Sequence, residues 1–322
     1  MNKAKTQLKK LFTGYWEYLA VNAACKLNLF DLIKENKNSL QDLVTHTNAN
    51  VDLLNLLLEA LVENKYLEKD NEMYYLTETS FLLTDDNPES LKNACILWGM
   101  EHMDAWQNLG YTLKVGKPAF EKIYKQPFFD YLNENKERLD NYHKAMYEYA
   151  RDDYKDICDK IDFKDSNIIM DVGGGYGALI SIIAKQCPQI KAILFDRPEV
   201  ISNVKTNSFF KIGGDFFVEI PEVADTIIMS RVIHDWNDDK ANIILKNAYQ
   251  ALPENGILYL IENLTDKIED KASLLSLNMR IMTNSFERTE SEYKEIVKNA
   301  GFQYIFTKKI NQLQYALKFK KQ

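Results

Sequence analysis

Four glycines within five positions, Gly173, Gly174, Gly175 and Gly177, stand between the apolar run NIIMDV (167–172) and the apolar stretch 178–186. A buried strand that turns into a helix through residues lacking Cβ atoms presents bare backbone and a helix N-terminus. That arrangement can hold a nucleotide-type cofactor. A simple tight turn does not call for so many glycines. The loop alone leaves two ligands open. Gly173-x-Gly175-x-x-Ala178 satisfies the loose dinucleotide pattern, and Asp196 stands at the next strand end, where a ribose-binding acid belongs. NAD(H) and S-adenosylmethionine both fit.

The surrounding grammar is α/β. Short β-branched runs at 167–172, 191–195, 208–212, 226–230 and 256–262 alternate with helical stretches at 178–186, 198–204 and 238–252. Continuous apolar strands separated by helices predict a parallel sheet covered on both faces. Helix 289–301, with its Gly301 stop, leads into FQYIFTKKI and LQYALKF, which read as an antiparallel pair at the sheet edge.

The first 160 residues read differently. An amphipathic segment runs from Leu11 through Tyr15, Tyr18, Leu19, Asn22 and Lys26 to Leu29 and Ile33, and Ser39 with Asp42 predicts a capping box. Residues 51–64 are apolar at helical spacing, and 66–68 with 74–76 predict a hairpin across a polar tip at 69–72. Helix, helix, hairpin is the winged-helix pattern, so charge must test for DNA binding. Residues 28–87 carry twelve acids against four lysines, and 51–64 contain no Lys or Arg. Phosphate neutralisation and base readout both need what this segment lacks. An apolar module that packs against another copy of itself is the better reading. Residues 91–159 add helices dense in aromatics and Met, including Trp98, Trp106, Phe128, Phe129, Tyr142 and Tyr149, fit for a core or a pocket for a flat apolar molecule.

At 322 residues with a net charge of −7, the chain is long enough for two domains and unsuited to a mainly phosphate-binding role. Cys25, Cys95, Cys158 and Cys187 form no C-x-x-C pair, which predicts a reducing compartment and no structural zinc. Neither a secretory signal nor a membrane-spanning run is evident, so a cytoplasmic location is expected.

Three features tip the cofactor choice. Asp171, two residues before the first glycine, would repel a pyrophosphate and suit the cationic α-amino group of a methionine moiety. Asp196 would accept from ribose hydroxyls. The sheet ends in an antiparallel pair instead of a second mononucleotide-binding half. With DVGGGYG (171–177), FDRPEVI (195–201), GGDFF (213–217), RVIHDWND (231–238), LIEN (260–263), ERT (287–289) and AGF (300–302) in order, the chain resembles the S-adenosylmethionine-dependent O-methyltransferases of the plant caffeate/flavonoid and animal hydroxyindole type. Bacterial relatives in that group modify aromatic natural products.

The resemblance covers nearly the whole chain. It implies a Rossmann-like class I methyltransferase sheet with an N-terminal, all-helical, winged-helix-like dimerisation domain. The expected division is 1–90 for dimerisation, 91–160 for a helical cover over the substrate, and 161–322 for the cofactor. The implied protein is a homodimer that methylates a phenolic small molecule, needs no metal, and binds neither nucleic acid nor membrane. Its product from the cofactor is S-adenosylhomocysteine.

By residue, the resemblance makes His234 the general base, with Glu262 and Glu287 flanking and orienting it. An ordinary imidazole near ~6.5 faces a phenol near ~10, a gap of about 5 kcal/mol, so proton loss should accompany methyl transfer. Gly173 and Gly175 contact the methionine end, Asp215 and Phe216 the adenine end, Arg231 lies beside it, and Trp236 stacks on the base. Trp106, Tyr142, Met146, Tyr149, Asn278 and Met279 line the acceptor site. Asp235, Asp238 and Asp239 look like a metal cluster, but Asn237 as N-cap with first-turn acids explains Asp238 and Asp239. His46, His102 and His143 match no catalytic motif and read as structural or pocket residues.

Two departures stand out: Arg231 where Lys is usual, and Asn284-Ser285-Phe286 in place of a glycine-rich loop before ERT. The rival readings are an N- or C-methylating or non-methylating relative, an NAD-linked oxidoreductase, and a winged-helix regulator.

Overall fold

The computed structural model describes residues 2–268 and 272–322. They form two compact units that divide between Glu101 and His102.

The first unit holds α1 (Lys3–Lys26), α2 (Leu29–Lys34), α3 (Leu40–Thr47), α4 (Val51–Glu63), the hairpin β1 (Leu67–Asp70) and β2 (Met73–Leu76), then α5 (Glu78–Phe81) and α6 (Lys92–Trp98). Leu29, Phe30, Leu43, Leu58, Leu61 and Tyr74 form its core. The Ser39–Asp42 capping box is present. The long amphipathic segment is broken, however: α1 stops at Lys26, and Asn28 takes a left-handed φ of 55° before α2. Asn tolerates that conformation, and the bend lets Leu29 and Phe30 face inward. The hairpin tip is also tighter than 69–72. Lys69 and Asp70 pair with Tyr74 and Met73, and only Asn71 and Glu72 turn, both at positive φ. A two-residue turn of that hand matches the twist of the strands.

The second unit continues with α7 (Glu101–Gln107), α8 (Leu109–Val115), α9 (Ala119–Tyr124), α10 (Phe128–Glu134), α11 (Lys136–Asp153) and α12 (Ile157–Lys160). It then alternates β3 (Ile168–Val172), α13 (Ala178–Gln186), β4 (Lys191–Asp196), α14 (Pro198–Ile201), β5 (Phe210–Gly213), β6 (Thr226–Ser230), α15 (Asp238–Ala251) and β7 (Ile257–Asn263). After α16 (Ala272–Met282) and α17 (Glu290–Asn299), β8 (Phe302–Lys309) and β9 (Gln314–Lys321) close the chain.

The seven strands lie in the order β5-β4-β3-β6-β7-β9-β8; the first five are parallel, and β9 runs antiparallel to both β7 and β8. Successive residues face opposite layers. Met170, Val172, Ile227, Met229, Leu258 and Leu260 pack on the α15/α17 side, while Ile169, Leu194, Ile228, Tyr259 and Ile261 pack against α12 and α13. Both faces being buried explains why these strands are continuously apolar in sequence. A ligand site in such a sheet belongs beyond the carboxyl ends of its strands. Asp171, Asp196, the 231–236 turn and Glu262 all stand there.

The cysteines are less scattered than their sequence positions suggest: Cys158 and Cys187 lie with their sulfurs 3.1 Å apart as free thiols. Among the described residues, no helix is long and apolar enough to cross a membrane.

Candidate active site

β6 ends at Ser230, and Arg231 follows at φ +53°, a strained value for a side chain of this size. The chain then makes a short 3-10 turn, Ile233–Asp235, that carries His234. Three distant residues hold the turn. Glu262, fully buried near the end of β7, accepts through Oε1 from the amides of Val232 (3.2 Å) and Ile233 (2.9 Å). Ser285 donates its hydroxyl to the carbonyls of His234 and Trp236. Arg288, among the largest fully buried side chains, donates to the Ile233 and Trp236 carbonyls and to Asp238.

The His234 ring stands among three carboxylates. Nδ1 donates to Glu287 Oε1 at 3.0 Å, and Asn263 Nδ2 donates to the same oxygen at 2.8 Å. Glu262 Oε2 is 4.0 Å from Nδ1, and Asp235 Oδ1 is 3.7 Å from Nε2. Burial works to lower the imidazole pKa; Glu287, Asp235 and Glu262 outweigh it and raise the value to about 10. Burial raises Glu262 to about 7 and Asp235 to about 6, against the pull of the His234 charge. Glu287 is held below the usual carboxylate range because the neighbouring imidazolium wins over burial.

The glycine loop lies alongside. Gly173, Gly175 and Gly177 all have positive φ, and a Cβ on Gly173 would collide with Val232 of the His234 turn. A Cβ on Gly175 would come within 3.0 Å of His143 Nδ1, so the imidazole edge stands over the loop backbone there. Asp171 is buried with no side chain hydrogen-bonded to its carboxylate; burial and then the nearby Asp196 raise its pKa to about 7, against the Ile180 backbone amide. A buried carboxylate with no cationic partner, beside a glycine-rich turn, fits a ligand that brings an ammonium group. Asp196 accepts from the amides of Gly175 (2.8 Å) and Arg197 (2.7 Å), and burial raises it to about 6.

The remaining sequence candidates distribute as follows. Asp215 accepts from the Phe217 amide at 2.8 Å, and Phe216 faces Gly173. Trp236 is packed by Phe129, Phe216 and Phe217 at centroid distances of 5.4, 6.2 and 4.7 Å, with Lys240 Nζ 4.9 Å above it. Arg231 reaches to 3.8 Å from Asp153. Trp106 donates its indole N–H to Asn278 Oδ1 at 2.9 Å, and Met279 is buried. Tyr142 on α11 packs edge-on against Phe128 and Phe129, and burial and the Asp235 charge raise its pKa strongly. Met146 and Tyr149 are half-buried on the same helix.

Sequence reasoning missed Asn263, Ser285 and Arg288, and named Phe129 only as one of many core or pocket aromatics. Arg288 and Asn263 sit inside quoted motifs, yet nothing local signals that their partners are 233–238 and 287. Ser285 belongs to the segment that departs from the glycine-rich pattern, and it fastens the His234 backbone.

Residues 106–303 match the O-methyltransferase domain, and residues 9–86 match the O-methyltransferase dimerisation domain. The protein belongs to the O-methyltransferase family, and its fold is the class I methyltransferase fold. It is similar to phenazine O-methyltransferase PhzM of Lysobacter antibioticus, 29% identical over 306 residues, covering 92% of this chain and 90% of that protein. Anthranilate N-methyltransferase of Ruta graveolens is 29% identical over 311 residues, covering 89% and 85%. Human N-acetylserotonin methyltransferase, solved in complex with S-adenosylmethionine, superposes with a TM-score of 0.90 at 26% identity, covering 100% of this chain and 98% of that one.

Proposed function

We propose that the protein transfers the methyl group of S-adenosylmethionine to a hydroxyl of an aromatic small molecule, with His234 as general base and no metal ion. The observation that carries this reading is the His234–Glu287 pair at 3.0 Å on a turn packed beside the glycine loop.

When bound, S-adenosylmethionine supplies a methyl carbon on a positively charged sulfur, open to attack by an oxygen nucleophile. Asp171 would hold the ammonium of its methionine end, and the Gly173 and Gly175 backbone would contact the same end. Asp196 would accept from the ribose hydroxyls. Asp215, Phe216, Arg231 and Trp236 would hold the adenine end.

His234 holds the acceptor hydroxyl and takes its proton. An unperturbed imidazole would face a gap of about 5 kcal/mol against a phenol. With its pKa raised to about 10 by the surrounding carboxylates, neutral His234 is well matched to a phenol, but at neutral pH the ring must first release the proton it already carries. Glu287 fixes the tautomer and stabilises the imidazolium. Because the imidazole carries the proton transfer, no Lewis acid is required. Trp106, Tyr142, Met146, Tyr149, Asn278 and Met279 line the acceptor side.

Residues 1–90 form the dimerisation part, 91–160 cover the acceptor and 161–322 bind the cofactor. Leu8, Leu11, Phe12, Tyr15 and Trp16, an exposed stripe on α1, support a homodimer built on this part. This reading keeps the cytoplasmic setting expected from the cysteine spacing.

The relative that methylates an amine keeps a second reading, transfer to nitrogen, in view. Purified protein incubated with methyl-labelled S-adenosylmethionine and a panel of phenols, anilines and thiols separates the two. Label in a phenol ether supports the first; label only in anilines supports the second; no label in any acceptor ends both.

A further inference from the structure

His143 was expected to be structural or a pocket residue, and its surroundings are more specific than that. It sits on α11, half-buried, with its ring stacked on Tyr176 of the glycine loop at 5.1 Å and 27°. Tyr142 packs on it edge-on at 5.3 Å. The Tyr176 hydroxyl donates to Asp140 at 2.8 Å, one turn earlier on α11, and Lys144 pairs with the same carboxylate. Helix and loop are thereby fastened together, and the Nδ1 edge of the imidazole points at Gly175, 3.0 Å from where a Cβ would lie. Neither ring nitrogen has a hydrogen-bond partner among the described residues. Burial holds the ring's pKa down to about 4, so it faces the loop as a neutral imidazole with one N–H to donate.

The loop needs such a donor. The methionine end of the cofactor is a zwitterion, and Asp171 and Asp196 serve its cationic groups and hydroxyls while repelling its carboxylate. Three of the five amides at 173–177 are committed. Gly173 donates to the Phe195 carbonyl (2.8 Å), Gly175 to Asp196 (2.8 Å) and Gly177 to the Gly174 carbonyl (2.9 Å). The usual supply of N–H groups for an anion at a strand–helix turn is therefore reduced here.

We infer that the His143 imidazole receives the carboxylate of the cofactor's methionine end over Gly175, a role that rests on the cofactor reading above. His143 is then a cofactor-discriminating residue: it separates ligands that carry the amino-acid carboxylate from those that do not.

Calorimetric titration with two probes tests this. One is S-adenosylhomocysteine. The other is its decarboxylated analogue, which keeps adenosine, sulfur and amine. The wild-type protein should bind S-adenosylhomocysteine at least tenfold more tightly than the analogue. His143→Phe, which keeps the stack on Tyr176 and removes the N–H, and His143→Ala should each lose about tenfold for S-adenosylhomocysteine, ~1.4 kcal/mol, and stay within twofold for the analogue. His143→Gln, which restores a donor, should regain part of the loss.

Equal weakening of both probes in the Phe variant, or no change in either, overturns the inference while leaving the cofactor reading intact. Wild-type protein that binds neither probe removes the cofactor reading and the inference with it. The Phe variant keeps the comparison independent of whether the Ala variant folds well.

Discussion

Glu262 fastens the turn that carries His234: its Oε1 accepts from the Ile233 amide at 2.9 Å, while its Oε2 remains 4.0 Å from the imidazole with no hydrogen bond of its own. Glu287 instead meets the ring directly at 3.0 Å. The two acids therefore act on the same histidine by different routes, one through backbone position and one through charge and tautomer. That difference separates their expected mutant behaviour.

Glu262→Ala leaves the Val232 and Ile233 amides buried without an acceptor, which should cost about 2 kcal/mol of stability. The loosened turn should lower kcat by about 100-fold, because small misplacements of a reacting group are expensive. Glu262→Gln keeps an acceptor and should lose less than ~10-fold in kcat. Denaturant unfolding and steady-state kinetics on both variants check this; equal kcat losses in Gln and Ala would refute the positional role.

His234→Ala should reduce kcat by roughly 10²–10⁴, the range of a lost general base. S-adenosylhomocysteine affinity, measured by calorimetry, should stay within ~2-fold, because the imidazole is assigned to the acceptor hydroxyl and not to the cofactor. Unchanged kcat would dismiss the general-base assignment.

With the His234 pKa raised to about 10, the ring carries a proton at neutral pH, and the neutral base becomes more abundant as pH rises. For a phenolic acceptor, kcat/KM should climb from pH 7 and level off near that value. Glu287→Gln removes the strongest charge raising the pKa, so the plateau should move to lower pH while its height falls. A pH–rate profile that is flat between 7 and 9 in the wild-type protein would contradict this account.

Asp171 has a folded pKa raised to about 7, chiefly by burial and then by Asp196. The folded protein therefore binds a proton there that the unfolded chain has already released, so this contribution weakens as pH rises from about 4 to about 7. Asp171→Asn should raise the unliganded Tm by ~5 °C at pH 8 and leave it unchanged at pH 4. The same variant should lose S-adenosylhomocysteine binding by at least ~10-fold, as expected for a lost charge-assisted contact. Differential scanning fluorimetry and calorimetry read the two effects.

Leu11→Glu combined with Trp16→Glu puts two charges into the exposed stripe on α1, where both side chains are more than half exposed in the single chain. Sedimentation should show a dimer for the wild-type protein and a monomer for the variant. A monomeric wild type would remove the dimer proposal.

Much of the fold was legible because it follows from local rules. The run of glycines after NIIMDV dictates a strand–turn–helix, and β3, β4, β6 and β7 are continuously apolar because both faces of their sheet are covered. Asn237 as N-cap and the Ser39–Asp42 capping box depend on neighbours three residues away, and both are present. The break at Asn28 and the two-residue tip at Asn71–Glu72 were missed because both polar positions continue the expected pattern, and only packing chooses the left-handed conformation.

The site divides along the same line. The amino-acid order by itself determined which chemistries are present: a glycine loop, an acid ahead of it, and a histidine between a strand and a capped helix. Tertiary structure alone decided what those groups experience. Glu287 reaches His234 across 53 residues of chain, and Ser285 and Arg288 fasten the same turn from a segment that no local spacing links to it. The basicity of the imidazole and the His143 edge over Gly175 are likewise set by distances and burial. Coulomb energy and desolvation depend on separation in space, and residues far apart in sequence acquire that separation only when the chain folds.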